Sequence, residues 1–229
     1  MARRTRQLDI RLRDAPRRGG RRAGAGRKCG PSPRHSRRAR AQLAARFPCH
    51  VTLKVRRGLP SLRTVRLVRE LERSFAAACD RGRFRLVHYS IQNDHVHLIV
   101  EATSARDLAC GMKSIGARVA RAVNRIFRRR GPVLADRFHL HVLRTPREVR
   151  NALAYVLLNA RRHLAKRGRR LLAAAVDPAS SGRWFAGWAR RAHSEPPDIS
   201  APIAQPHTWL LHLGWRRHGL ISPTEVPGL

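Results

Sequence analysis

In His95-Val96-His97-Leu98, and again in His139-Leu140-His141-Val142, imidazoles alternate strictly with aliphatic side chains. Successive side chains of an extended chain point to opposite faces. The pattern therefore demands strands and disfavours an amphipathic helix. A third stretch has the same period: Cys49, Val51, Leu53 and Val55 alternate with His50, Thr52, Lys54 and Arg56. A sheet built from these segments has one apolar face, to be covered by helices, and one face that carries histidines. Antiparallel sheets tolerate such two-sidedness.

Between the strands the period changes to that of a helix. Pro60-Ser61 opens a segment with Leu62, Val65, Val68, Leu71, Phe75 and Cys79 on one stripe, stopped by Gly82. Arg83 to Ile91 and His95 to Ala102 read as strands joined by the turn residues Gln92-Asn93-Asp94. Ser104 and Asp107 resemble a capping box. They start a helix with the stripe Leu108, Met112, Ile115, Val119, Ala122 and Ile126, which ends at Arg128-Arg129-Arg130 before Gly131-Pro132. Arg137 to Leu143 is a fourth strand. Thr145, Pro146 and Glu148 then give an N-cap, a proline in the first turn and an N3 glutamate, opening a helix to about Lys166. The order predicts an α+β fold, a ferredoxin-like βαββαβ antiparallel sheet with an added C-terminal helix.

Charge constrains the partners. Among 229 residues, 49 Lys or Arg face 14 Asp or Glu, a net charge of +35, and only Lys28, Lys54, Lys113 and Lys166 are lysines. Such an excess calls for a polyanion, and arginine suits planar phosphate contacts. No apolar run approaches the roughly 18 residues of a membrane span, and the N-terminus lacks the apolar region of a secretory signal. Cys29, Cys49, Cys79 and Cys110 form no C-x-x-C pair, against a zinc ribbon or a disulfide framework. A cytoplasmic, nucleoid-associated protein is expected. Residues 1–46, Arg-rich with Asp9 and Asp14 as the only acids, read as a disordered basic arm. Residues 47–168 form the folded domain. Residues 169–229 read as a Trp- and Pro-containing tail, docked at Trp184, Phe185 and Trp188 and loop-like or disordered beyond His193.

On the last long helix, Leu153, Leu157, Ala160 and Leu164 share a stripe, whereas Tyr155 and Asn159 lie on roughly the opposite side with Arg162 and Lys166. A core tyrosine belongs in the stripe. Neutral imidazoles and an amide oxygen can hold a divalent cation, which polarises a phosphodiester. A tyrosine can supply the nucleophile.

The segment Tyr89-Ser-Ile-Gln-Asn-Asp-His-Val-His-Leu-Ile-Val-Glu101, with Ala154-Tyr-Val-Leu-Leu-Asn159 downstream, resembles the histidine strand and tyrosine helix of HUH-type single-strand nucleases. Within them it is most similar to single-tyrosine transposases of the REP-associated kind. The resemblance covers about residues 47–168. It implies a transposase or single-strand endonuclease with His95, His97 and Asn159 as ligands of Mg2+ or Mn2+. Tyr155 would be the catalytic nucleophile, left linked to a 5′ phosphate with a free 3′ hydroxyl. The substrate would be single-stranded or hairpin-flanking DNA, and since many members of the family work as dimers the resemblance also implies a homodimer. Lys54, Arg128, Arg129, Arg130, Arg144 and Arg162 are the expected DNA contacts. One departure stands out: relatives often continue with Asn-Pro, whereas Ala160 follows Asn159 here.

Plainer readings stand beside these. His95 and His97 can be structural histidines of a solvated sheet face, His139 and His141 hydrogen-bonded or phosphate-contacting groups, and Tyr89 a packing residue. Arg128 to Arg130 can be a solvated helix end. The same strand order serves RNA recognition modules, although those place aromatics where histidines stand here. A catalytically silent DNA- or RNA-binding regulator, or a metal-dependent hydrolase without a covalent intermediate, are the alternative functions.

Overall fold

The structure, a computed structural model, describes residues 43–168, 175–190 and 201–228. The expected basic arm lies outside these residues, apart from its last four positions. The elements run β1 (Cys49–Lys54), α1 (Val65–Ala76), β2 (Phe84–Ile91), β3 (His95–Ala102), α2 (Ala105–Ile126), β4 (His139–Val142), α3 (Pro146–Leu157), α4 (Asn159–Ala165) and α5 (Trp209–His212). The sheet order is β2-β3-β1-β4 with every neighbour antiparallel, as the α+β, ferredoxin-like reading requires.

The register carries the alternation into space. Cys49, Val51, Leu53 and Val55 join Val96, Leu98 and Val100 beneath α1 and α2, with Leu67, Leu71 and Phe75 from α1 and Leu108, Met112, Ile115 and Val119 from α2. Each long apolar side chain buried there contributes about 1.5–3 kcal/mol of transfer free energy. Tyr89 lies in this core and donates its hydroxyl to Glu72 Oε1 at 2.8 Å, so it packs rather than reacts. Phe84 lies against α2 at Gly111, where a Cβ would stand 2.2 Å from the ring.

Helix starts follow their caps. Thr145 and Glu148 form a reciprocal capping box at α3. At α2 the Ser104 hydroxyl accepts from the Asp107 amide, but the Asp107 carboxylate takes the Ser104 and Thr103 hydroxyls rather than a backbone N–H, so the box is only half formed. α1 begins later than the pattern predicts, with Thr64 as its cap. The Leu62 amide instead donates to the Asn93 carbonyl, which ties that segment to the hairpin turn.

Two differences from the sequence reading bear on the site. The single helix expected to run to Lys166 is broken at Leu158 (φ −108°, ψ 16°), so Tyr155 lies in the last turn of α3 and Asn159 begins α4. The histidine face is also not left polar throughout. Val87 and Ile99 lie on it and form a second core with Val149, Leu153 and Val156 of α3. Leu210, Leu211 and Trp215 complete that core, so residues 201–228, expected as loop or disorder, contribute α5 and a buried tryptophan. The buried carboxylate of Glu101 anchors them by accepting the His207 and Thr208 amides and the Thr208 hydroxyl at 2.7–2.8 Å. Alternation along β3 puts Ile99 on the face of His95 and His97; why that position is apolar shows only with α3 there to cover it.

Candidate active site

The site lies where α3 crosses the histidine face. His97, 4% exposed, is the hub. Pairing of β1 with β3 sets Thr52 opposite His97, and His97 Nδ1 lies 3.1 Å from Thr52 Oγ1 and 3.1 Å from His50 Nε2. Its Nε2 lies 3.0 Å from His95 Nε2. His95 Nδ1 lies 2.7 Å from the Asp94 carboxylate. In the tautomers that carry the proton on Nδ1, Asp94 and Thr52 are the acceptors and both Nε2 lone pairs face one point.

This donor set fits a divalent cation. Two ligand nitrogens about 3 Å apart match adjacent positions of an octahedral ion with bonds of about 2.1 Å. The carboxylate behind His95 is a common companion of a metal-bound imidazole. Among the described residues no group of three or more His, Cys, Asp or Glu is placed to hold a metal, so a third protein donor would have to be of another type. Asn159 is of that type. It is wholly buried, and both its amide atoms lack a hydrogen-bond partner. Such an orphaned amide costs about 1–3 kcal/mol. No hydrogen bond joins it to the histidines.

Burial governs the protonation of the hub. It lowers the pKa of His97 to about 3, helped by His95 and His50, and that of His50 to about 4, helped by His141. Both rings are neutral at neutral pH, as metal ligation requires. Asp94 is held below the usual carboxylate range by its bond to His95. His163 of α4 is lowered by burial and then by His95, which places it beside the same cluster.

Tyr155 is half-buried, with its ring centroid 5.0 Å from that of His97 and 5.7 Å from that of His50. The Arg162 guanidinium lies 5.2 Å from the tyrosine ring. Tyr155, His95, His97 and Arg162 are therefore brought together, whereas Asn159 turns inward at the helix break. Lys54 is exposed and pairs with His95 in register. Arg144, also exposed, lies 5.8 Å from the Phe47 ring. Arg128 to Arg130 stand apart, at the end of α2 on the other face of the sheet. There Arg128 has φ 48° and Arg129 donates to Asn124 Oδ1 and the Pro132 carbonyl, which closes a turn.

Sequence reasoning placed His50 and Thr52 on the right face but gave them no role, because cross-strand neighbours depend on register. Asp94 is readable from the sequence as a carboxylate adjoining a histidine, but the turn cluster Gln92-Asn93-Asp94 masks that signal. His163 carried no signal.

Residues 48–143 match the family model described as transposase IS200-like. The match contains His95 and His97 and ends before Tyr155. Among solved structures, the REP-associated tyrosine transposase bound to a REP hairpin is similar at 17% identity and a TM-score of 0.50, over 73% of this chain and 96% of that one. A bacterial tRNA(His) guanylyltransferase-like protein in complex with GTP aligns at 13% identity and a TM-score of 0.39, over 56% of this chain and 68% of that one. No curated protein matches the chain.

Proposed function

Starting from an IS200-like transposase domain at residues 48–143, we propose that the chain cleaves single-stranded DNA by transesterification, with Tyr155 as the nucleophile. The observation that carries this reading is the packing of the Tyr155 ring 5.0 Å from His97, whose Nε2 is 3.0 Å from that of His95. His95 and His97 would hold Mg2+ or Mn2+, with Asn159 as the third donor if the break at Leu158 rearranges. When bound, the cation supplies Lewis-acid stabilisation of charge on the phosphate.

The remaining work falls to the chain. Tyr155 Oη bonds to phosphorus as the P–O3′ bond breaks. The departing oxygen takes up a proton and leaves as a 3′ hydroxyl, and the 5′ phosphate stays on the tyrosine. The phenolic proton needs an acceptor, since a free phenol has a pKa near 10. Tyr155 is half-buried, so solvent can take this proton; His50 lies 5.7 Å from the ring, but its Nε2 already faces His97 Nδ1. The Arg162 guanidinium lies over the ring, 5.2 Å from its centroid, where it can also meet a phosphate of the strand. Lys54, Arg144 and Arg162 would hold phosphates, with Arg128 to Arg130 as a more distant contact for a longer strand. The hairpin-bound relative makes a hairpin with single-stranded flanks the substrate to test first.

The test is a covalent adduct. Labelled hairpin oligonucleotides with single-stranded flanks are mixed with the full chain and Mg2+ or Mn2+, then denatured. The expected result is label on the protein, lost in Tyr155→Phe and in His95→Ala/His97→Ala. An adduct that persists in Tyr155→Phe overturns the assignment of the nucleophile. Salt-sensitive binding without any adduct overturns the enzymatic reading in favour of a silent nucleic-acid-binding regulator.

A further inference from the structure

Beside Tyr155, and away from His95, a cleft of about 490 Å3 opens between β4 and α3. Its volume falls within the roughly 300–1,000 Å3 of small-ligand sites. Leu143 and Ala152, both buried, form an apolar floor. His50, His141, Glu148 and Asn151 supply polar groups, and Pro227-Gly228 bound the far side. None of these polar groups belongs to the ligand pair, and His141 has no role in the cleavage chemistry.

We infer that this cleft is a nucleobase subsite, taking the base of a nucleotide that adjoins the phosphate attacked by Tyr155. The inference rests on the strand-cleavage reading above and adds to it a determinant of target sequence. Three features support a base over another occupant. The cleft shares Tyr155 as a wall, so anything joined to a phosphate at the phenol reaches it within one nucleotide. The imidazoles of His50 and His141 line the cleft beside the apolar Leu143 and Ala152, a surface that suits a base and not a bare phosphate. The polar edge combines an amide with a carboxylate. An asparagine amide pairs with an amine and an adjoining ring nitrogen, the edge of adenine, and a carboxylate accepts from the amine of cytosine or adenine.

Glu148 is prepared for that task. Its Oε2 accepts the Arg144 and Thr145 amides at 2.6 and 3.2 Å, which holds the carboxylate in place and leaves Oε1 as an acceptor. The same capping box that starts α3 thus orients a wall of the cleft. Adenine or cytosine is preferred there and thymine, which lacks an exocyclic amine, is disfavoured.

The test uses the full chain and a cleavable hairpin oligonucleotide. Each base is permuted at the positions immediately 5′ and 3′ of the cleaved phosphate, and the rate of adduct formation is read. At one of these positions adenine or cytosine should react about tenfold or more faster than thymine, and an abasic site should react as poorly as thymine. Asn151→Ala and His141→Ala, both at exposed positions, should flatten this preference and leave preferences elsewhere in the oligonucleotide intact. In Tyr155→Phe, 2-aminopurine at the same position should be quenched on binding, and less so when His141→Ala is added. An unchanged base preference in both cleft variants, or an abasic site that reacts like the best base, overturns the subsite while cleavage stands. Absence of any adduct with the unaltered chain overturns the cleavage reading on which the subsite depends.

Discussion

The Thr52 hydroxyl oxygen lies 3.1 Å from His97 Nδ1, on the side of the ring away from His95. In the tautomer that carries the proton on Nδ1, Thr52 is its acceptor and Nε2 is left bare toward His95. Thr52→Val keeps the shape and removes this acceptor. Mn2+ affinity, measured by titration of the free ion, should fall about 10–100-fold, the usual effect of losing a partner behind a ligand. Thr52→Ser should restore most of it. Equal affinities in all three proteins would show that Thr52 does not prepare His97 to hold a cation.

His88 reports on pH from outside the candidate site. It is buried against Phe185, and its Nδ1 lies 3.1 Å from Ser181 Oγ. Burial pushes its pKa down to about 3, so the folded state prefers the neutral ring. Between pH 6.5 and about 3 the unfolded chain binds a proton that the folded chain refuses. Stability is therefore full above pH 6.5 and falls as the pH drops, by up to about 1.4 kcal/mol per unit for this residue. His50 and His97 act in the same direction. In urea melts between pH 6 and pH 4, His88→Gln should show a shallower loss of stability than the unaltered chain. Parallel curves would contradict this.

The fold was legible because its determinants are local. Alternation in β1, β3 and β4, the apolar stripes of α1 and α2, and the Thr145 box each act within a few residues. What escaped depends on contacts distant in sequence. Ile99 reads like any other strand residue until α3 and Trp215 cover it. The break at Leu158 follows no glycine or proline, so periodicity runs through it and puts Asn159 on the surface, where the structure buries it. The histidine strand and Tyr155 were legible because their chemistry is rare. The roles of His50 and Thr52 had to wait for the register of β1 on β3.

Glu101 ties the C-terminal segment to the sheet. Its buried carboxylate accepts three hydrogen bonds from His207 and Thr208. Glu101→Leu removes all three and strands two backbone amides, at about 1–3 kcal/mol for each buried donor left unpaired. The expected outcome is selective loosening of residues 207–221, seen as faster hydrogen exchange there and red-shifted emission from Trp215, which is 2% exposed. Exchange in β1 and α2 should change little. Uniform loss of protection across the chain would mean that the tail and the sheet unfold as one unit.

Gly111 tests how tightly the first core is packed. On an ordinary helix, glycine to alanine gains about 1 kcal/mol, so propensity alone predicts stabilisation. Here the new methyl would stand 2.2 Å from Cγ and Cδ2 of Phe84, an aromatic side chain that is itself buried at 3% exposure. The ring begins β2, and α2 lies over it, so relief requires a rotamer change or a shift of the helix. Overpacking of this kind costs about 1–3 kcal/mol, enough to cancel or reverse the gain. Gly111→Ala should therefore be neutral to destabilising by about 2 kcal/mol in urea denaturation. Combining it with Phe84→Leu should recover part of the loss, since the smaller side chain makes room. The coupling between the two changes, measured by a double-mutant cycle, isolates this contact. A Gly111→Ala chain more stable than the parent, with no coupling to position 84, would show that α2 does not press on β2 at this point.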